Sequence, residues 1–553
     1  MKWGVALVVL LCAAALLPGL TGTGPFDTLE ARDMEVAREL IAARTGSQTP
    51  LFTESLLEKP PFAYAPELLA QTAAPALPLA ASRGWRIVVA CLIVLLTGTT
   101  AARHLGARAG ICAAAVLASS LTLPLAARLD GTQLLATLFG WIAVDGITHV
   151  WFTERGGRNA RLVVSYAALA CAAAVAGPLS ALWPLGAAAI YQRLTRRKDA
   201  WRELHPVAGI VTIIALAAPW YAVMTQRHGA GFLFHALRFP YGLSDHRAWY
   251  LAPFMTVSFV IVGFFPWSAL LPGALQHAAV WWRRARRGPD VADESIAAGT
   301  TLAPLARELS EERAAHWFIA CAIAALVPLL FYPRAPLTAV LPALPALAAL
   351  CGRLLDHVIE DQARAGLPVF RATQMLAMTG SVAAVLLMML ASRTGDAAPA
   401  FRLLATALFA TAWLPLLAGL AARLRLAALL MLLPVAVCTP IACFKLVPAA
   451  EGYLTARPFA AAIERHVPAA ATLALFDEAP ASLMFLSRHP SMRAHSLAEA
   501  YAAPRAADGY VYLAYRPSHE GELRDTVAAH EPALGSLEVL ARTPGLVLAR
   551  IKA

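Results

Sequence analysis

Apolar segments long enough to cross a bilayer recur along most of this chain, separated by short polar loops. The first covers residues 1–20, and the others lie near residues 84–102, 109–126, 131–152, 162–178, 179–192, 206–225, 251–272, 315–332, 336–351, 374–391, 401–421 and 426–446. Because about 20 apolar residues cross the hydrocarbon core as a helix, this pattern predicts an all-α polytopic membrane protein with about 13 transmembrane helices. Between residues 162 and 192, Gly177 and Pro178 have to form the whole turn.

The pattern changes near Pro448, after which the composition is that of a soluble domain. Residues 472–476, 509–515 and 545–551 are predicted strands, and residues 459–466 and 522–530 are predicted helices. The chain is therefore expected to have a membrane domain over residues 1–447 and a small α/β domain over residues 448–553 that covers or positions a substrate.

Composition and charge agree with a membrane protein. Hydrophobic residues make up 59% of the 553 residues and charged residues only 15%, whereas a soluble domain has about 25% charged residues. The net charge of +11 comes from basic residues in alternate short loops, which is the positive-inside pattern and argues against nucleic-acid binding. Lys2 then places the N-terminus in the cytoplasm, and an odd number of helices places the C-terminal domain outside. The eight cysteines show no CxxC spacing, so neither a disulfide framework nor a metal motif is predicted.

The first polar loop, residues 24–83, carries most of the candidate chemistry. Residues 29–44 have apolar positions at helical spacing, which predicts a helix lying in the membrane interface. The charged residues of this loop include Asp27, Glu30, Arg32 and Asp33. They either pair with one another in solvent or line a functional site. Glu58-Lys59-Pro60-Pro61 follows, and the prolines after Lys59 would hold an extended turn that presents the lysine.

A second candidate is Asp130, at the outer end of the predicted helix 131–152. A carboxylate at this depth is expensive unless it is paired or faces a wet cavity, so it is a functional candidate. The alternative is a structural ion pair with Arg128 or Arg32. Asp145 lies further along the same helix and is interpreted as a helix-packing or cytoplasmic-end group.

Residues 226–250 mix basic and aromatic side chains on the predicted outer face. The combination suits a lipid phosphate headgroup, or equally an aromatic belt with snorkelling arginines. Candidate phosphate ligands here are Arg238, His246, Arg247 and Tyr250, and Arg334 adds a cation between two later helices.

The outer face thus gathers carboxylates and cations. This suits transfer chemistry on a lipid phosphate, in which a carboxylate takes a proton and cations stabilise the leaving phosphate. A divalent cation could be held by the carboxylates, although no ligand spacing requires one. The alternatives are a lipid or lipid-linked-sugar transporter or flippase, which would more typically show internal repeats and midplane sites, and a non-catalytic scaffold.

The order of several motifs resembles the GT-C membrane glycosyltransferases of the protein-O-mannosyltransferase-like group, especially bacterial transferases of aminoarabinose to lipid A. The motifs are Glu30-Ala31-Arg32 with residues 35–40, Glu58-Lys59-Pro60-Pro61, Arg128-Leu129-Asp130, Pro219-Trp220-Tyr221, Arg247-Ala248-Trp249-Tyr250, residues 264–268 and the proline-rich residues 341–345.

The resemblance implies transfer of a sugar from a polyprenyl-phosphate donor to a lipid, glycan or protein acceptor, at the periplasmic face of the bacterial inner membrane. Displacement with inversion at the anomeric carbon is expected. Glu30, Asp130 and Asp27 would be catalytic, while Arg32, Lys59 and the basic residues of the later loops would hold the donor phosphate.

This chain departs from the family pattern at two places. The usual aspartate before Glu30 is Leu29, so Asp27 or Asp33 could substitute or Glu30 could act alone. The usual lysine near the proline-rich segment is absent, and Arg334 is the nearest cation.

Overall fold

The computed structural model describes residues 2–44, 59–152, 157–195, 198–232, 250–285, 302–332, 335–360, 362–476, 480–487, 489–496, 499, 506, 508–530 and 537–552. The helices of the membrane domain are α1 (Lys2–Leu16), α2 (Leu29–Arg44), α3 (Ala65–Ala73), α4 (Pro78–Leu105), α5 (Ala107–Ala118), α6 (Thr122–Leu129), α7 (Gly131–Phe152), α8 (Arg158–Ala176), α9 (Pro178–Thr195), α10 (Pro206–His228), α11 (Ala252–Gly263), α12 (Leu271–Ala285), α13 (Leu302–Leu326), α14 (Leu344–Glu360), α15 (Gln362–Ala391), α16 (Ala398–Leu420), α17 (Leu424–Leu430) and α18 (Leu433–Ile441).

The predicted all-α membrane architecture is confirmed, but the count of about 13 helices is not. Within the described ranges, 9 helices are long and apolar enough to cross a membrane, or up to 11 if each of two bent pairs counts as one span. All the predicted apolar runs are helical. The two that fall outside the larger count are α1, which has only 15 residues, and α9, whose 18 residues include the polar Gln192 and Arg193. The bent pairs are α5 with α6, at 54°, and α11 with residues 267–278, at 108°.

Small residues allow the central helices to pack closely. A Cβ at Gly352 of α14 would lie 2.6 Å from the Ala109 carbonyl oxygen of α5, so the two backbones approach each other as only glycine permits. The turn between α8 and α9 consists of Gly177 alone, with φ +85°, a backbone conformation that glycine adopts readily.

Helix α7 crosses the buried centre of this bundle and has polar groups near both ends. Asp145 pairs with Arg103 at 2.5 Å and Arg161 at 3.4 Å, and it accepts a hydrogen bond from Thr100. Asp145 is therefore a helix-packing group that joins α4, α7 and α8. The other end begins at Gly131, about 21 Å away along the helix axis.

The C-terminal α/β domain contains a five-stranded sheet. Its strands are β1 (Leu473–Phe476), β2 (Ser491–Ala494), β3 (Tyr510–Tyr515), β4 (Glu538–Arg542) and β5 (Val547–Lys552), and its helices are α19 (Arg457–His466), α20 (Ala481–Leu486) and α21 (Glu520–His530). The strand order is β2-β1-β3-β5-β4, with β1 parallel to β2 and β3, and β5 antiparallel to β3 and β4. The sequence analysis missed β2 and β4. These are the two edge strands, which carry less buried apolar surface than the centre of a sheet.

The described parts of the first polar loop, residues 24–44 and 59–83, lie between the two domains. Val36 of α2 and Tyr64 belong to the same buried cluster as Phe459 and Leu473 of the C-terminal domain. The opposite side of α2 faces the membrane helices, so α2 connects the core of the domain to the outer end of the bundle.

Candidate functional site

A buried salt bridge anchors the beginning of α2. Glu30 is fully buried, and its two carboxylate oxygens accept hydrogen bonds from Arg83 at 2.7 and 3.1 Å and from the Phe26 N–H at 2.8 Å. Arg83, on α4, also donates to the carbonyl oxygens of Gly24, at 2.9 Å, and Gly19, at 3.1 Å. Because both Glu30 oxygens already accept strong hydrogen bonds, the side chain is placed to hold the loop.

One helical turn further along α2, Asp33 meets Lys59. The Lys59 Nζ lies 2.6 Å from Asp33 Oδ1 and donates to the Thr132 hydroxyl at 3.2 Å. Both charged side chains are almost completely buried, with exposures of 2% for Lys59 and 5% for Asp33. Lys59 also lies over the Tyr64 ring. Pro60, which follows Lys59, has an extended backbone, and Lys59 itself contacts the beginning of α7 through Thr132.

Asp130 forms the corner between α6 and α7. Its Oδ1 accepts a hydrogen bond from the Gln133 N–H at 3.0 Å, which caps the beginning of α7, and its Oδ2 accepts one from the Thr338 hydroxyl at 2.8 Å. Burial raises the pKa of the Asp130 carboxyl, and the nearby Lys59 ammonium opposes that rise. Lys59 donates to Asp33 and to Thr132, which is two residues after Asp130, so Asp33, Lys59 and Asp130 lie together as one cluster at this end of α7.

Arg128 does not form the alternative ion pair considered for Asp130. Its guanidinium donates instead to the carbonyl oxygens of Pro124, at 2.9 Å, and of Pro18, at 2.6 Å, just beyond the end of α1. Arg128 therefore joins α6 to the first helix, and Asp130 is left facing Thr338 and the Lys59 side of the cluster.

The structure does not place the other predicted site residues in the cluster of Asp33, Lys59 and Asp130. Asp27 is exposed, and its Oδ1 accepts a hydrogen bond from the Ser482 N–H at the start of α20, at 3.2 Å. Arg32 is half-buried on α2, and Tyr250 is 64% exposed just before α11. The predicted ligands Arg238, His246, Arg247 and Arg334 lie outside the described residues, as does Glu58.

Several charged residues of this region were missed by the sequence analysis. Arg83 and Arg86 are both buried on α4, and Glu67 of α3 is buried beside Arg86. The sequence did contain a signal for the two arginines. Arginines at the start of an apolar helix are costly without partners, so their position indicates that buried acidic partners exist. Among the described residues, no group of three or more His, Cys, Asp or Glu side chains is arranged to hold a metal ion.

A helical membrane domain with a charged first loop at its outer end, under a small α/β domain, defines the GT-C fold class. Two crystal structures of ArnT from Cupriavidus metallidurans share this arrangement. The TM-score is 0.67 to the apo form and 0.69 to the form bound to undecaprenyl phosphate, each at 19% sequence identity over 99% of this chain and 97% of that chain. At this identity the likeness establishes the fold. The resemblance expected from the motifs is thereby confirmed.

Sequence comparison adds one curated relative. The undecaprenyl phosphate-alpha-4-amino-4-deoxy-L-arabinose arabinosyl transferase of Pectobacterium atrosepticum is 36% identical over 88 residues. That alignment covers 15% of this chain and 14% of the transferase. No protein-family model matches the chain.

Proposed function

We propose that this protein is a glycosyltransferase of the bacterial inner membrane. It takes a sugar from an undecaprenyl-phosphate donor and transfers it to a lipid or other cell-envelope acceptor at the periplasmic face. The observation that carries the proposal is the buried Lys59 ammonium, held between the Asp33 carboxylate and the Thr132 hydroxyl at the outer end of the bundle. The similarity to an ArnT structure bound to undecaprenyl phosphate supports this choice of donor.

Lys59 would bind the donor phosphate. A buried ammonium is a strong partner for a lipid phosphate, because few water molecules compete for its donors. As the phosphate enters, Lys59 exchanges the Asp33 carboxylate for a phosphate oxygen, and it then stabilises the negative charge that develops as the bond between phosphate and anomeric carbon breaks.

Asp33 would take the place of the aspartate that the family has at position 29. Positions 29 and 33 are one turn apart on α2, so they present their side chains on the same face of the helix. Leu29 offers no oxygen, whereas Asp33 is buried and lies 2.6 Å from Lys59. The engaged oxygens of Glu30 and the exposed position of Asp27 make those two carboxylates poorer candidates for the base.

The reaction follows from these positions. Asp33, released by Lys59, accepts the proton of the acceptor hydroxyl while the acceptor oxygen forms a bond to the anomeric carbon. The carbon–oxygen bond to the phosphate breaks on the opposite side, so the configuration inverts and undecaprenyl phosphate leaves with the electron pair. Asp130, fixed by Gln133 and Thr338, would supply a second negative charge that helps to keep Lys59 aligned.

Transfer assays with single carboxylate variants test this proposal. Purified protein is given a radiolabelled undecaprenyl-phosphate sugar, first the aminoarabinose donor, together with lipid A as acceptor. We expect transfer by the wild type, a loss of about 10²–10⁴-fold for Asp33→Asn, and near-normal transfer for the matched control Asp27→Asn. Wild-type protein that binds the donor but transfers nothing would contradict the proposal, and full activity of Asp33→Asn would remove Asp33 as the base.

A further inference from the structure

Arg86 is a fully buried arginine at which three elements of the site meet. It lies on α4 and forms a short ion pair with Glu67 of α3. Its Nη1 donates to the Arg128 carbonyl oxygen of α6 at 3.2 Å and lies 3.7 Å from Glu30 Oε1 of α2. Arg86 makes none of these contacts with Asp33, Lys59 or Asp130, the groups assigned to the reaction. However, α2, α3 and α6 each carry one of these three residues or lie close to one in the chain.

The contact with α6 reaches the corner that holds Asp130. A Cβ at Gly131 would lie 3.1 Å from Arg86 Nε and 2.5 Å from the Trp85 ring. The backbone that directly follows Asp130 is therefore pressed against the guanidinium and the indole of α4. Glycine at position 131 is what permits this approach, so the place of the Asp130 corner depends on where the Arg86 side chain lies.

The contact with α2 concerns the helix that carries Asp33. Glu30 binds Arg83 on one side and faces Arg86 on the other, and it is three residues before Asp33 on α2. Arg86 thus reaches the backbone beside Asp130 and the side chain one turn before Asp33, from a single rigid position on α4.

Glu67 holds Arg86 in that position. Its Oε1 accepts hydrogen bonds from Arg86 and from the Ser82 hydroxyl, the latter at 2.8 Å, and the side chain is 1% exposed. Burial raises the pKa of Glu67, and the Arg86 charge opposes that rise. A buried ion pair is weak evidence for stability, so its geometry is better explained by what it positions.

We propose that Arg86, held by Glu67, is a positioning residue that sets the places of the Asp130 corner and of the Asp33 turn of α2 relative to Lys59. The expected effect on kcat rests on the proposed transferase function. The positioning of the Asp130 corner and of α2 by Arg86 does not depend on that function. A purely structural role for Arg86 predicts that its loss lowers the amount of folded protein. A positioning role predicts a slower chemical step in protein that is folded and still binds donor.

The experiment compares Arg86→Gln and Arg86→Lys with the control Arg103→Gln. Arg103 lies on the same helix and pairs with Asp145 at the other end of the bundle. We expect kcat to fall about 10²-fold in Arg86→Gln, because a displacement of about 1 Å costs this much, while the donor KM changes by less than about threefold. Arg86→Lys keeps the charge but cannot bind Glu67 and the Arg128 carbonyl as a fork does, so its kcat should also be low although its stability is close to normal.

A second readout needs no activity. Lys59 is buried, so its amine should react slowly with an acylating reagent, as followed by mass spectrometry of the Lys59 peptide. We expect labelling to rise by about tenfold in Arg86→Gln and in Gly131→Ala, and to stay at the wild-type rate in Arg103→Gln. Gly131→Ala tests the same corner from the opposite side and leaves every charge in place.

The outcomes separate the two proposals. Unchanged protection of Lys59 in Arg86→Gln and Gly131→Ala overturns the positioning role, whatever the transfer assay shows. Wild-type kcat in folded Arg86→Gln overturns it as well. A wild type that transfers no sugar, combined with exposure of Lys59 only in the Arg86 and Gly131 variants, contradicts the transferase function and supports the geometry.

Discussion

The pair formed by Lys59 and Asp33 makes the sharpest prediction about the energetics of the site. Lys59→Met removes the cation and leaves the Asp33 carboxylate buried, with the Thr132 hydroxyl as a poor substitute. The nitrogen–oxygen distance is 2.6 Å and both side chains are almost completely buried. Removal of one partner from such a pair costs about 3–5 kcal/mol, because the other charge remains without compensation.

The same reasoning predicts strong coupling between the two positions. Asp33→Asn in the Lys59→Met background removes the stranded charge, so the double variant should recover all but about 1 kcal/mol of the stability lost in Lys59→Met. The free energy of unfolding of the four proteins in detergent, measured with denaturant, gives the coupling energy. It should exceed about 2–4 kcal/mol, the part of the Lys59→Met loss that the second substitution recovers, because Asp33→Asn alone also leaves a buried charge unpaired. Undecaprenyl phosphate should stabilise the wild type and not the two Lys59→Met proteins, because the phosphate has lost its cation.

Two results would refute this reasoning. If Lys59→Met were as stable as the wild type, the pair would not be a buried ion pair of this strength. If the two substitutions had additive effects, Lys59 and Asp33 would not act on each other. An undiminished stabilisation of Lys59→Met by undecaprenyl phosphate would place the phosphate elsewhere.

Three other variants test separate parts of the account. Asp33→Leu combined with Leu29→Asp moves the carboxylate back by one turn on the same helix face. Transfer by this double variant should recover to within about tenfold of the wild type, whereas Asp33→Leu alone should stay inactive. An equal loss of transfer in both variants would contradict the equivalence of positions 29 and 33. Glu35 is 1% exposed, and burial raises its pKa from 4.5 to about 7. Between these two pH values the folded protein keeps a proton that the unfolded chain releases. The free energy of unfolding should therefore fall by up to about 3 kcal/mol as pH rises from 4.5 to about 7. Glu35→Gln should remove that part of the pH dependence of the melting temperature, and an unaltered profile would show that Glu35 is not its source. Asp145→Asn, at the far end of α7, should lower the melting temperature without changing the shift caused by undecaprenyl phosphate, and a loss of that shift would show that the two ends of α7 are coupled.

The fold was largely predictable because the signal for membrane helices is long and strong. Each predicted apolar run is helical, and the central strands of the C-terminal sheet were found from their apolar residues. The number of membrane crossings was not predictable from the apolar runs alone. The runs of α1 and α9 form helices that do not meet the length and composition of a span, and two further runs, α5 with α6 and α11 with residues 267–278, bend within the run. Edge strands such as β2 lack the apolar pattern on which the prediction depends.

The site was predictable in part. Lys59 was a candidate because two prolines follow it in an extended turn, and Asp130 because a carboxylate at the end of an apolar helix needs a partner or a function; their roles stay predictions. The choice among Asp27, Glu30 and Asp33 needed the structure, since all three lie within seven positions in the loop and only contacts distinguish them. Glu30 binds Arg83, Asp27 contacts the C-terminal domain, and Asp33 binds Lys59.

The most direct test of the central claim is a single-turnover transfer of labelled sugar from its undecaprenyl-phosphate donor to lipid A, by wild-type protein and by Asp130→Asn. We expect transfer by the wild type with release of undecaprenyl phosphate. In the variant we expect a loss of about 10²–10³-fold, because Lys59 loses the Asp130 charge that helps to align it, while donor binding persists. Equal transfer by both proteins, or release of undecaprenyl phosphate by neither, would contradict the claim that Asp130, Lys59 and Asp33 form a glycosyl-transfer centre.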